Sequence, residues 1–354
     1  MAKKKITKKT KKSANKTGMI LLAILAFVFS LFVYLVFLRP ATKFTSEETV
    51  LLIPTKKAEK KFVRSLLKEN LQAVHYTTFL ALADWFGYWD KIKPGKYIIS
   101  KNTSVFGVFR KLHGGRQTPV KITLNKFRTK RDLSKFIGNK LEFSSDDLLR
   151  FITNIDSLES SGVNPDNMMT LIIPNTYEIY WTSSPREFVE RMKKESNNFW
   201  GQDKIEKAKE LGFSKEEIYI IASIVEEETN NNEEKPKMAS VYINRLNKGM
   251  TLGADPTIKF AVGDFSIKRV TLNHINSSAS SPYNTYKNKG LPPGPICTPS
   301  IPSIEAVLKG EKTTYLYFCA KSDFSGSHSF ATTAEEHFDN ARRYRKALDS
   351  MRIH

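Results

Sequence analysis

The longest apolar stretch of the sequence lies near its start, where residues 19–38 form a run of twenty residues without a charge. At about 1.5 Å per residue, a helix of this length is about 30 Å long, the thickness of a bilayer's hydrocarbon core. Arg39 and Pro40 end the run. It is longer than the apolar region of a signal peptide, and no small-x-small cleavage site follows closely. The pattern therefore predicts a single, uncleaved transmembrane helix.

The charges around this helix predict its orientation. Residues 1–18 contain eight lysines and no acidic residue, so we expect them to form a cytoplasmic tail. The rest of the chain would then lie on the periplasmic, outer side of the cytoplasmic (inner) membrane. The whole chain has a formal net charge of +20, and a basic exported surface suits anionic lipid or an anionic wall polymer. Export, and the lack of zinc-finger spacing or a phosphate loop, argue against nucleic acid.

The remaining periodicity predicts an α+β fold in two parts. A small module over residues 41–125 contains a strand at 95–99, a helix at 104–112 that Gly114 and Gly115 close, and a strand at 120–124. Residues 126–160 have helical periodicity and are predicted to connect this module to a larger domain over 161–354. In that domain, residues 251–302 are rich in loops, and residues 333–353 have the pattern of an amphipathic helix.

Three consecutive carboxylates, Glu226, Glu227 and Glu228, follow the apolar run at 220–225. A carboxyl group at the C-terminus of a buried helix is desolvated and lies near the negative end of the helix dipole, and both effects raise its pKa. Such a group can donate a proton near pH 7. Helical geometry does not separate Glu226 from Glu228 as this acid. The alternative is a helix whose last turn simply emerges into water.

Other residue types suggest little further chemistry. The two cysteines, Cys297 and Cys319, do not form a disulfide framework, although a single bond between them is possible outside the membrane. The six histidines lack the tight spacing of a metal site. We therefore predict no metal and no cofactor.

Several blocks downstream of Glu226 occur together in a fixed order. They include Asp255-Pro256-Thr257, Tyr283-Asn284-Thr285-Tyr286 and segments at 239–246, 249–252, 290–296, 315–318 and 328–330. In order and spacing the chain closely resembles the YceG-like family, the endolytic murein transglycosylases also known as MltG. The resemblance is best over 171–345. It extends to the anchor and, more loosely, to residues 41–125, which in that family resemble a LysM-type sugar-binding unit.

The resemblance implies a lyase that acts on peptidoglycan. Such an enzyme cleaves nascent glycan strands internally at the MurNAc–GlcNAc bond, forms 1,6-anhydroMurNAc ends and so terminates strand elongation. It also implies that Glu226, the first glutamate after the Ala-Ser-Ile-Val run, is the general acid and base. A complex with peptidoglycan synthases is implied by the resemblance alone.

The remaining candidate site residues are assigned to substrate binding. Asp255 is the best rival carboxylate, and it could instead fix its own turn. The full set of substrate-binding candidates comprises Asp255, Asn244, Tyr283, Asn284, Tyr286 and Glu228. Two alternative functions stay open: a hydrolytic muramidase that uses Glu226 and Asp255 with water, and a wall-binding scaffold without catalysis.

Overall fold

A computed structural model describes the backbone of residues 6–350 and the side chains of residues 16–350. The chain folds into two compact units. The first contains the residues up to 120 together with 180–182, and the second contains 121–179 and the residues from 183 onward. Both units mix helices with short paired strands, which confirms the predicted α+β class.

The predicted apolar helix is present. Helix α1 (Ile6–Val33) continues into a π-helical turn, Tyr34–Leu38, where the N–H of Arg39 donates to the Tyr34 carbonyl at 2.8 Å. Within the described residues, Lys16–Leu38 is the one helix whose length and composition would allow it to cross a membrane. The lysines of the predicted tail at positions 3, 4 and 5 lie outside the described residues.

The first unit is built on one antiparallel strand pair. Strand β1 (Glu48–Ile53) pairs with β2 (Gly95–Ser100), and helices α2 (Lys60–Asn70) and α3 (Ala73–Trp85) lie between them in sequence. Helix α4 (Val105–Gly114) follows. Ser104 caps its N-terminus by accepting a hydrogen bond from the Gly107 N–H, and Gly115 ends it at φ 65°. The strand, helix and glycine stop predicted over 95–115 are confirmed.

The strand predicted at 120–124 exists as β3 (Val120–Thr123), but it pairs with β4 (Thr176–Ile179) and not with the strand at 95–99. Apart from Val120, β3 belongs to the second unit, whereas β2 belongs to the first. Strand β1 pairs with β2 along its whole length, because the inward-facing Leu51 and Ile53 complete the core beneath Tyr97 and Ile99.

The second unit is mainly helical. Helices occupy much of the predicted connector, and the loop-rich region contains α11, α12 and the start of α13. The C-terminal helix is confirmed up to Ser350, and residues 351–353 lie outside the described residues. Besides β3 and β4, the α-helices and strands of the second unit are α5 (Lys130–Gly138), α6 (Ser145–Thr153), α7 (Ile155–Leu158), α8 (Pro185–Glu210, with non-helical backbone at Gly201), α9 (Lys215–Glu228), α10 (Lys235–Asn247), α11 (Asp255–Val262), α12 (Leu272–Ser277), α13 (Ile301–Lys309), β5 (Tyr317–Ala320), β6 (His328–Ala331) and α14 (Ala334–Ser350).

Helix α9 lies at the centre of this unit. A capping box between Ser214 and Glu217 starts it, and every residue from 218 to 225 is buried. It packs against α10 and α13. A helix that is apolar on all sides belongs in a core, and this position fixes its last turn, where the three glutamates follow.

Candidate active site

The last turn of α9 points three carboxylates at three different sets of partners. Glu226, Glu227 and Glu228 are all partly buried, and each accepts at least one hydrogen bond from a side chain. The alternative in which the helix end simply emerges into water therefore does not apply. The partners of each carboxylate determine its charge.

Glu226 lies within a closed polar cluster, here called the Glu226 cluster (Glu226, Lys235, Ser300 and Ser303). Its Oε2 atom accepts a hydrogen bond from Lys235 Nζ at 3.1 Å, one from Ser300 Oγ at 2.6 Å and a very short one from Ser303 Oγ. The N–H of Ser300, the residue that precedes α13, also points at this oxygen. Lys235 is almost completely buried. The cluster thus joins the end of α9 to the starts of α10 and α13.

These contacts stabilise the ionised form of Glu226. Burial alone would raise the pKa of Glu226, but the hydrogen bonds from Ser300 and Ser303 and the charge of Lys235 outweigh it and hold the pKa below its usual value. The expectation of a raised pKa at Glu226 was therefore wrong. Desolvation was anticipated, whereas the donors were not, because they come from distant parts of the chain.

Glu227 forms ion pairs. Arg128 holds it in a bidentate pair, with Nε and Nη2 at 3.0 and 2.8 Å from the two carboxylate oxygens, and Lys126 Nζ lies 3.2 Å from Oε1. Burial acts to raise the pKa of Glu227, and these cations lower it below its ordinary value. Glu227 is thus an ionised anchor for the 126–128 segment.

Glu228 has the environment of a general acid. Burial raises its pKa to about 7, and the negative charge of Asp255 acts in the same direction. Its Oε1 atom accepts a hydrogen bond from the Tyr242 hydroxyl at 2.5 Å, which partly opposes the shift. Near neutral pH this carboxyl group can therefore both hold and release a proton.

A second tyrosine–carboxylate pair belongs to the same region. Asp255 is the first residue of α11, and its Oδ1 atom accepts a hydrogen bond from the Tyr286 hydroxyl at 2.5 Å. Asp255 interacts electrostatically with Glu228. The structure thus brings together Glu228, Asp255 and Tyr286 from the predicted set, and it adds Tyr242.

The model of the YceG-like family matches residues 51–343, which is most of the chain. The chain belongs to the YceG-like family. The crystal structure of a YceG-like protein from Listeria monocytogenes superposes with a TM-score of 0.53 at 25% identity, covering 83% of this chain and 98% of that one.

Two curated relatives carry the name endolytic murein transglycosylase. The Bacillus subtilis (strain 168) protein is 39% identical over 162 residues, which cover 46% of this chain and 43% of the relative. The Streptococcus pneumoniae (serotype 2, strain D39 / NCTC 7466) protein is 27% identical over 364 residues, which cover 90% of this chain and 65% of the relative. This YceG-like chain therefore spans less than two thirds of the length of these curated relatives.

Two of the predicted substrate-binding residues make hydrogen bonds within the protein. Asn244 donates both of its amide hydrogen bonds to backbone carbonyls, those of Thr313 and Tyr315, at 2.9 Å each. Asn284 is fully buried: its Nδ2 atom donates to the Ile275 carbonyl of α12 and to Ser278 Oγ, and its Oδ1 atom accepts from the Tyr286 N–H. The side-chain NH2 groups of both residues are thus occupied by hydrogen bonds within the protein. Their hydrogen bonds support the loops around Tyr286 and Tyr315.

Tyr283 is partly buried, and its ring centroid lies 4.6 Å from that of Phe260. Burial raises its pKa to about 12. Its hydroxyl lies beside Gly294, where an added Cβ would come within 3.0 Å of the hydroxyl oxygen and 2.0 Å of the Asp166 carbonyl oxygen. Tyr283 thus packs against the 290–296 loop.

Sequence reasoning missed Lys235, Tyr242, Ser300 and Ser303. Tyr242 lies within the block at 239–246, but no chemical role was assigned to it there. Ser300 precedes the proline-containing start of α13, a typical N-cap pattern, which was a usable signal for that helix but not for its contact with Glu226.

Both cysteines are free thiols in this structure: Cys297 is buried and Cys319 is partly buried. Within the described residues, no three histidine, cysteine, aspartate or glutamate side chains are placed to hold a metal ion. His328 instead pairs with Glu234, with Nδ1 and Oε2 3.0 Å apart.

The Tyr242 hydroxyl should set the upper pH limit of any activity that needs protonated Glu228. Its hydrogen bond favours the carboxylate, so Tyr242→Phe should raise the pKa of Glu228 above 7. We expect the alkaline limb of the kcat profile to move up by about one pH unit. Tyr219→Phe is a matched control, since this buried hydroxyl donates to the Ile172 carbonyl. An unmoved limb in Tyr242→Phe would contradict the assignment of Glu228.

Proposed function

We propose that this protein is a membrane-anchored, endolytic peptidoglycan lytic transglycosylase with Glu228 as its general acid and base. It would cleave nascent glycan strands at the MurNAc–GlcNAc bond, leave 1,6-anhydroMurNAc ends and so terminate strand elongation. Family membership supports the reaction class, and two relatives carry the name of this activity. The observation that carries the residue assignment is the setting of Glu228 at the end of the central helix: its hydrogen-bond donor is the uncharged Tyr242 hydroxyl, and burial beside Asp255 raises its pKa to about 7.

One carboxyl group suffices for this reaction. Protonated Glu228 gives its proton to the departing glycosidic oxygen as the bond to C1 of MurNAc breaks. The C6 hydroxyl of the same sugar then forms the new bond to C1, and ionised Glu228 takes the hydroxyl proton. The enzyme returns to its starting protonation state, and no water is consumed. An intramolecular nucleophile has a high effective concentration, so a second protein carboxylate is not required.

The choice between Glu226 and Glu228 follows from their partners. Glu226 accepts hydrogen bonds from three side chains and one backbone N–H, and Lys235 holds it ionised, so protonating it would break a buried ion pair. Glu228 accepts one hydrogen bond from an uncharged hydroxyl. We therefore transfer the acid role from Glu226, where the resemblance placed it, to Glu228. Asp255 and Tyr286 remain the substrate-binding candidates beside it.

We propose that the apolar helix near the start of the chain anchors the protein in the membrane. Residues 19–38 would cross the cytoplasmic membrane once, with residues 1–18 in the cytoplasm and the chain from residue 40 onward on the outer side; the exposed apolar side chains of Lys16–Leu38 support this. We also propose that the module at 41–125 binds wall sugars in a LysM-like manner. Its exposed Trp85 supports this, because indole rings stack well on sugar faces. Peptidoglycan synthases are the proposed protein partners.

The chemical nature of the product ends tests this function. The full chain in detergent should convert uncrosslinked glycan strands to fragments that end in 1,6-anhydroMurNAc, detected by mass spectrometry as the loss of one water relative to a reducing end. Reducing ends would instead indicate a hydrolase with Asp255 as the second carboxylate, since Asp255 lies close enough to Glu228 to affect its pKa. Binding of strands without cleavage would favour the scaffold alternative.

A further inference from the structure

A small cationic pocket lies in the second unit, next to Glu227 in the last turn of α9. It has a volume of about 30 Å³ and is lined by Arg128, Glu227, Pro256, Lys259, Phe265 and Ile296. Two of these lining residues, Glu227 and Pro256, are the sequence neighbours of Glu228 and Asp255, and a third, Lys259, interacts electrostatically with Glu228. Its volume suits one small polar group, such as a carboxylate or a water.

The charges around this pocket do not balance. Glu227 is the one carboxylate in its lining, and Arg128 and Lys126 are both already paired with it. Lys259 adds a third cation, on the first turns of α11, and it forms no ion pair within residues 16–350. Lys259 also interacts electrostatically with Glu228, and this attraction is lost when Glu228 carries its proton. The pocket is thus positive in the state that begins the reaction.

The two cations paired with Glu227, Arg128 and Lys126, are fixed by their contacts and remain partly exposed to solvent. The Arg128 guanidinium lies 5.0 Å from the centre of the Phe265 ring and is fixed by two hydrogen bonds to Glu227. The Arg128 and Lys126 side chains retain 39% and 36% of their exposure. A fixed, partly exposed guanidinium beside an unpaired ammonium is a typical arrangement for binding an anionic oxygen group.

We propose that this pocket binds a free carboxylate of the stem peptide attached to the muramic acid at the scissile bond. The inference rests on the proposed function, because it identifies part of the substrate of that site. The acetylated glycan backbone carries no charge once its lactyl groups are amidated, so the anion nearest to the reacting sugar belongs to the peptide. Phosphate groups of a wall polymer share this anionic chemistry, and the experiment below separates the two sources.

The experiment compares two substrates with the full chain in detergent. The first is uncrosslinked, phosphate-free strands with intact stem peptides, and the second is the same strands with peptide carboxylates converted to methylamides. For the wild-type chain, we expect kcat/KM to be about tenfold lower on the neutralised strands. Lys259→Gln should show this loss on the intact strands and no further loss on the neutralised ones. Lys259→Arg should restore the preference, and Lys248→Gln, at an exposed lysine, should behave as the wild type.

Each other outcome overturns the proposal. Equal wild-type rates on both substrates, or an undiminished preference in Lys259→Gln, would exclude a carboxylate in this pocket. If wall-polymer phosphate on neutralised strands restored the rate in the wild type alone, the anion would be phosphate. Absence of cleavage of either substrate would instead be a failure of the proposed function.

Discussion

Replacing Glu228 by Gln should abolish strand cleavage, with a loss in kcat of at least about 10³-fold. The amide has nearly the same shape and can still accept the Tyr242 hydrogen bond, but it has no proton to give and cannot take one. Product formation by the purified full chain, measured by mass spectrometry, tests this directly. Glu226→Gln is the matched comparison, since it changes a carboxylate two residues away on the same helix turn. We expect it to retain at least about one tenth of the wild-type kcat.

The same Gln substitution should show that the protein remains folded. The pKa of Glu228 is about 7 when folded and about 4.3 when unfolded, so ionising this group opposes folding increasingly as the pH rises between these values. At pH 8, Glu228→Gln should therefore raise the free energy of unfolding by about 1–3 kcal/mol, and at pH 4 it should have almost no effect. Full activity in Glu228→Gln, together with its loss in Glu226→Gln, would return the acid role to Glu226.

The sequence was sufficient to predict elements whose signals are local. The helix at 104–112 carries its own cap and its own glycine stop, and the apolar run before Glu226 requires a buried helix with acids at its end. Strand pairing was not predictable in this way, because β3 has no local feature that selects β4 over β2. Tertiary context decides the partner of a short strand.

The charge states of the three glutamates could not be predicted from the local sequence either, because they too depend on tertiary contacts. Desolvation by helix α9 acts on all three, and it was foreseen. What separates them is the set of partners: Lys235 is nine residues from Glu226, Ser300 is 74 residues away, and Arg128 is 99 residues before Glu227. Glu228 differs because, within the described residues, no cation donates a hydrogen bond to it. The proposed acid is thus distinguished by the ion pairs that its neighbours make, and not by its own position in the helix.

Replacing Lys235 by Met should strongly destabilise the second unit. Removing one partner of a buried ion pair leaves an uncompensated charge, here the Glu226 carboxylate, and costs about 3–5 kcal/mol at pH 7.5. Lys237→Met, at an exposed lysine one residue beyond Pro236, should cost little. Urea unfolding of the full chain in detergent, followed by near-UV circular dichroism, measures both.

The dependence of this loss on pH identifies its cause. In the wild type, the lowered pKa of Glu226 contributes stability that is present above the unfolded value, about 4.3, and is lost as the pH falls through the folded pKa. In Lys235→Met, desolvation of Glu226 is no longer balanced by a cation, so its pKa should rise and the carboxyl group should protonate readily in acid. The difference in the free energy of unfolding between variant and wild type should therefore shrink by at least half at pH 4.

Adding Glu226→Gln to Lys235→Met should recover a similar fraction of the lost stability at pH 7.5, because the buried charge is gone. An equal deficit at both pH values, without recovery in the double variant, would mean that Lys235 stabilises the unit by packing alone and that Glu226 is not held ionised by it.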